Sequence, residues 1–126
     1  MTTILIVDDD PFQASLLMSL LGRQFGDVRR ATDAAEALCL VEQPDVADKL
    51  GLVISRHQRP GIGGPAFVAE LHARMPQLPV LVLGASGDAA ADYDENVVFL
   101  AKPFVQEKLL ALTRQIVGQE KKRVVA

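Results

Sequence analysis

Thr3-Ile4-Leu5-Ile6-Val7-Asp8-Asp9-Asp10-Pro11 is the stretch on which the fold of this chain turns. Ile4 to Val7 is an unbroken aliphatic run, too short for a helix, and its lack of polar alternation fits a strand covered on both faces. The run stops at three carboxylates. Asp10 followed by Pro11 reads as a helix N-cap with proline in the first turn, because an aspartate oxygen can accept from the unpaired N–H groups there and proline has none to leave unpaired. Strand, tight acidic turn and helix together make one βα unit.

Working outward, the same unit recurs. A helix with Leu16, Leu17, Leu20 and Leu21 follows the first strand, bracketed by Gly22 and Gly26. A second strand around Asp27 to Ala31 leads to a helix that Asp33 can cap, carrying Ala37, Leu38 and Val41 and stopping before Pro44. Leu50 to Ser55 is a third aliphatic run, ended by Arg56-His57-Gln58, and a turn through Pro60-Gly61-Ile62-Gly63-Gly64 opens a helix bearing Phe67, Val68, Leu71 and Met75. Leu78 to Leu83 reads as the fourth strand and Val97 to Ala101 as the fifth, with a short connection between them whose only helical material is Ala89-Ala90-Ala91. The last helix runs from about Phe104 to Val117, and Lys121-Lys122-Arg123 reads as a solvated end. This alternation predicts an α/β domain around a parallel sheet.

The composition agrees. At 126 residues, 49% hydrophobic and 23% charged, the chain suits one globular domain over 1–118 followed by a basic tail over 119–126. A net charge of −3 gathers neither nucleic acid nor an anionic membrane, so direct DNA binding is not expected. The single cysteine, Cys39, reads as a small core residue. The N-terminus carries no targeting segment and no apolar run reaches membrane-spanning length, so a cytoplasmic location is expected.

In an open parallel sheet, functional groups collect beyond the carboxyl ends of the strands. Asp8 and Asp9 end the first strand, Arg56 the third, Gly84 the fourth and Lys102 the fifth, so these five residues are expected along one edge. Four pieces of sequence now stand in order: Ile4 to Pro11, the Pro60-Gly61 turn with Gly64, Leu78-Pro79-Val80, and Ala101-Lys102-Pro103-Phe104. Together the four resemble the landmarks of response regulator receiver domains, the phosphoacceptor modules of two-component signalling, over nearly the whole chain.

The resemblance implies a flavodoxin-like (βα)5 three-layer sandwich with strand order 2-1-3-4-5 and a short helix between the last two strands. In that family an acidic pair holds Mg²⁺, an aspartate ending the third strand accepts phosphate from a histidine kinase, and a Ser or Thr and a lysine bind the phosphoryl group. An aromatic on the fifth strand reports the change. By position, the pair is Asp8 and Asp9, the lysine is Lys102, the aromatic is Phe99, and the peptide bond before Pro103 is expected to be cis.

Two positions depart from the pattern. Arg56 falls on the phosphoacceptor and Gly84 on the hydroxyl; a guanidinium is no carboxylate nucleophile and glycine has no hydroxyl. Asp45 and Asp48 precede the third strand, at its far end, and cannot substitute. The resemblance therefore implies an atypical receiver that works by protein contact without phosphotransfer. Arg56 is expected to pair with Asp8 or Asp9 through two parallel hydrogen bonds, with weak or no Mg²⁺ binding and no other cofactor. Its expected partners are signalling proteins such as a histidine kinase, an output domain or another regulator. The connection from Gly84 to Lys102 is about four residues shorter than is usual for the family, roughly one helical turn, which alters the surface built from the fourth helix, fifth strand and fifth helix. A homodimer through that surface is one arrangement it allows.

Two other classes are weighed against this one. One keeps Asp8 or Asp9 as the phosphate acceptor. The other is a flavodoxin-like cofactor binder, but the cobalamin motif Asp-x-His-x-x-Gly needs Asp at Ser55 and Gly at Pro60, so His57 alone does not make it. With no second His or Cys at metal spacing, His57 reads as an exposed loop residue. The Gly61 to Gly64 cluster lacks the Lys-Ser/Thr ending of a nucleotide-binding loop and reads as a connection.

Overall fold

The computed structural model describes residues 2–58, 61–85, 91–94 and 97–125, with side chains through residue 118. Five strands, β1 (Thr3–Val7), β2 (Asp27–Ala31), β3 (Leu50–Arg56), β4 (Val80–Gly84) and β5 (Val97–Ala101), form one parallel sheet in the order β2-β1-β3-β4-β5. Among the described residues five helices accompany them: α1 (Pro11–Gly22), α2 (Ala34–Val41), α3 (Pro44–Ala47), α4 (Gly64–Arg74) and α5 (Gln106–Val125). This is the flavodoxin-like arrangement expected from the sequence.

The strand pleat sorts the aliphatic runs into two cores. Leu5, Val7, Val53, Val80 and Val82 point to one face and pack with Ala37, Val41, Phe67 and Leu71 from α2 and α4. Ile4, Ile6, Leu52, Ile54, Leu81 and Leu83 point to the other and meet Leu17 and Leu21 of α1 and Leu109 of α5. Because successive residues alternate faces, a strand that serves both layers must be apolar throughout, which is what β1, β3 and β4 are.

The caps behave as read. Asp10 accepts from the backbone N–H groups of Phe12 and Gln13 at 2.9 and 3.4 Å, and Asp33 accepts from that of Glu36 at 2.8 Å. The Lys102–Pro103 bond is cis.

Several boundaries move. β4 begins at Val80 and not at Leu78, since Pro79 has no N–H for the ladder, although its carbonyl accepts from Val53. α3 is an extra turn beginning at Pro44, where proline starts a helix as readily as it ends one. The last helix starts at Gln106 and continues to Val125, so the basic segment is the end of α5 and not a separate tail. Leu16 is exposed and Leu20 half-buried, because α1 turns Ala14, Leu17 and Leu21 to the sheet. Cys39 is exposed as well: with Ala37 and Val41 facing the core, position 39 falls on the opposite side of α2. The short helix expected around Ala89 to Ala91 lies largely outside the described residues, as do Arg59 and Pro60.

Candidate functional site

Strand register builds the site. Val7 of β1 lies beside Ser55 of β3, so the next residues, Asp8 and Arg56, emerge together at the carboxyl edge. On the other side Gly84 lies beside Ala101, and the N–H of Lys102 donates to the Gly84 carbonyl at 2.6 Å. The four strand ends singled out from the sequence share one edge.

Asp8 is the best-held of these residues. Its side chain is 1% exposed. Oδ1 accepts from the N–H of Asp10 at 2.9 Å and from Arg56 Nη1 at 3.3 Å, while Oδ2 is buried without a hydrogen-bond partner among the described residues. Its carbonyl accepts from Arg30 Nε at 3.1 Å and Nη2 at 2.9 Å, so a second guanidinium braces the same turn from β2. Nothing in the sequence singled out Arg30; an arginine on a strand carries no signal of which carbonyl it will reach.

Arg56 Nη1 also lies 3.4 Å from Asp9 Oδ1. One guanidinium nitrogen thus sits between two carboxylates. The expected pairing is present, but not as two parallel bonds to one acid. Both distances lie beyond the usual 2.7–3.2 Å, so the contact is chiefly charge attraction. Asp9 is 40% exposed and Arg56 29%, placing the bridge at the rim of the pocket with Asp8 as its floor. Lys102 is half-buried and makes no hydrogen bond or ion pair from its side chain with a described residue. Among the described residues no group of three or more His, Cys, Asp or Glu could hold a metal ion.

Beside this charged half lies an aromatic half. His57 is half-buried, contrary to the exposed loop reading: its Nδ1 is 2.6 Å from the Tyr93 hydroxyl. The His57 ring stands edge-on to those of Tyr93 and Phe99, at centroid distances of 5.6 and 6.2 Å, and Phe99 lies 6.0 Å from Tyr93. The ring cluster occupies the space over Gly84. A Cβ there would strike Phe99 Cζ and come within 3.0 Å of its Cε2 and 3.2 Å of His57 Cβ. Gly64 is hemmed in likewise, since a Cβ would strike the Tyr93 hydroxyl and approach the His57 carbonyl to 2.8 Å. Its own N–H donates to that carbonyl at 3.1 Å, which makes Gly64 part of the site's wall. Tyr93 was not anticipated; a lone tyrosine between Asp92 and Asp94 in a loop gave only the general hint that a phenol seeks one apolar and one polar neighbour.

The comparisons agree with this geometry. The family model described as the response regulator receiver domain matches residues 4–114. The C4-dicarboxylate transport transcriptional regulatory protein DctD of Rhizobium meliloti is 30% identical over 127 residues, covering 98% of this chain and 26% of its own length. The uncharacterized transcriptional regulatory protein YrkP of Bacillus subtilis is 34% identical, covering 94% and 53%. The chain therefore spans about a quarter to a half of these relatives. Among solved structures, a response regulator receiver domain protein from Clostridium thermocellum superposes with a TM-score of 0.85 at 22% identity, covering 96% of this chain and 98% of its own. The receiver domain of the hybrid histidine kinase CckA gives 0.75 at 29%, covering 91% and 98%.

Proposed function

Since this chain belongs to the response regulator receiver domain family, we propose that it serves two-component signalling as an atypical receiver, a protein-interaction module whose state does not depend on phosphorylation. The observation that carries this reading is Arg56 Nη1 lying 3.3 Å from Asp8 and 3.4 Å from Asp9. In this reading Arg56 stands at the phosphoacceptor position and a fixed cation takes the place of a divalent one.

The electrostatics favour it. Asp8, Asp9, Arg56 and Lys102 cancel in charge, whereas a carboxylate at position 56 would leave the pocket anionic. Two unit charges at about 4 Å interact by on the order of 4 kcal/mol at an effective dielectric of about 20, so Mg²⁺ beside the guanidinium would meet a repulsion of roughly twice that. Mg²⁺ also needs hard oxygen ligands and gives up water reluctantly. The residues present do not fit it. Gly84, filled over by Phe99 and His57, likewise leaves no room for a side-chain hydroxyl aimed at a phosphoryl group. The chain in this reading is not an enzyme, and its partners are signalling proteins: a histidine kinase, an output domain or another regulator.

One observation favours the reading in which Asp8 or Asp9 accepts phosphate: the unpartnered Oδ2 of Asp8. Incubation with acetyl phosphate or beryllofluoride in Mg²⁺, followed by intact mass and by Mg²⁺ titration, distinguishes them. The wild-type chain is expected to stay unmodified and to bind no Mg²⁺ at millimolar concentration, while Arg56→Asp gains Mg²⁺ binding. Phosphorylation of the wild type, or millimolar Mg²⁺ affinity at Asp8 and Asp9, would overturn the proposal.

A further inference from the structure

Away from the pocket, the large hydrophobic side chains left exposed among the described residues are Phe12 (82%), Leu16 (68%) and Val105 (70%), and the first two line one groove. Phe12 and Leu16 are four residues apart on α1 and so lie on one stripe of that helix; Val105 immediately precedes α5. Between the two helices runs a groove of about 380 Å³ lined by Phe12, Leu16, Leu17, Leu20, Phe104 and Leu109. Asp10 is the one charged residue on its wall, and its carboxylate is already committed to the α1 N-terminus. Clustered exposed apolar groups of this kind mark contact surfaces.

The sequence of α1 indicates what covers them. Pro-Phe-Gln-Ala-Ser-Leu-Leu-Met-Ser-Leu-Leu-Gly, residues 11–22, contains no charged side chain, unlike each of the other four helices. A surface helix ordinarily carries charge on its solvent face. In a two-fold contact each group near the axis meets its own image, so any charge there faces a like charge. A charge-free helix removes that repulsion, and it offers nothing to a partner selected by charge complementarity. We propose that a second copy of this chain covers the groove, in a two-fold dimer in which α1 packs against α1 and Phe12 of each copy enters the α1–α5 groove of the other. This interface is distinct from the surface around β5 considered from the sequence, and it does not rest on the phosphorylation-independent reading.

Sedimentation velocity across the micromolar range, up to the highest soluble concentration, tests it. The wild-type chain is expected to move from monomer to dimer mass. Leu16→Glu places like charges where α1 meets α1, Phe12→Glu puts a charge into the apolar groove, and each is expected to weaken dimerisation at least tenfold, about 1.4 kcal/mol. Both side chains are exposed, so unchanged circular dichroism and melting are expected of the variants. In a Cys39→Ser background, Ser15→Cys on α1 is expected to form an intermolecular disulfide on mild oxidation, and the same chain with Ser15 intact is not. A wild-type chain that stays monomeric throughout, including one whose groove instead takes an amphipathic helix of another protein, overturns the proposal. So does a dimer that neither glutamate variant weakens.

Discussion

At the scale of single residues, the pocket is governed by what Arg56 and Gly84 do to their neighbours. Arg56→Ala would leave Asp8, 1% exposed, beside Asp9 without the cation between them. Because one partner is buried and the other sits at the rim, the expected loss is intermediate between that of surface and buried pairs, roughly 1–3 kcal/mol in urea unfolding without metal. Arg56→Lys is expected to recover part of it, since an ammonium is a point charge that cannot span two carboxylates as a planar guanidinium does. Gly84→Ser should not simply reinstate a hydroxyl. The new Cβ meets Phe99 and His57, so either the ring is driven outward or stability falls by about 1–3 kcal/mol, as overpacking does. The aromatic region of the NMR spectrum separates the two, because rotation of Phe99 alters the ring-current shifts of His57 and Tyr93.

At the scale of elements, α1 depends on Asp10 for more than its cap. The side chain accepts two backbone N–H groups, and the Asp10 N–H itself donates to Asp8 Oδ1, so cap and acidic pocket are joined through one residue. Asp10→Ala is expected to cost about 1 kcal/mol in thermal unfolding, and Asp10→Asn much less because an amide oxygen caps as well. The sequence announced this element clearly, as Asp-Pro before a leucine-rich run, but not which of its leucines are buried. Leucine is apolar on either side of a helix, and only the presence of the sheet on one flank tells Leu17 from Leu16. Cys39 escaped for the same reason.

At the scale of the whole molecule, the sheet's edge strand is tied to its centre by a titratable clamp. Thr3 of β1, fully buried, donates its hydroxyl to Asp27 Oδ2 of β2 at 2.7 Å. That hydrogen bond, helped by the neighbouring Arg29 and opposed by desolvation, holds the Asp27 carboxyl below its ordinary value of 3.8. A carboxyl whose folded value lies below its unfolded one contributes stability that is complete above the unfolded value and is lost as pH falls through the folded one. Acid unfolding of the wild-type chain is therefore expected to steepen below about pH 4, and Asp27→Asn is expected to flatten that limb, followed by circular dichroism against pH. Among the described residues no helix is long and apolar enough to cross a membrane.

The parallel sheet and the gathering of Asp8, Asp9, Arg56, Gly84 and Lys102 at one edge were determined by the sequence alone, because strand periodicity and turn chemistry are local and a parallel sheet sends all its strand ends the same way, whereas the strand order was implied by the family resemblance. Contacts within that edge were not. Arg56 reaching two carboxylates with one nitrogen, Arg30 gripping the Asp8 carbonyl, and His57 turning inward to meet Tyr93, 36 residues along the chain, were decided only by the tertiary structure. Each depends on where long side chains end after the two helical layers have packed, and neither composition nor spacing records that endpoint.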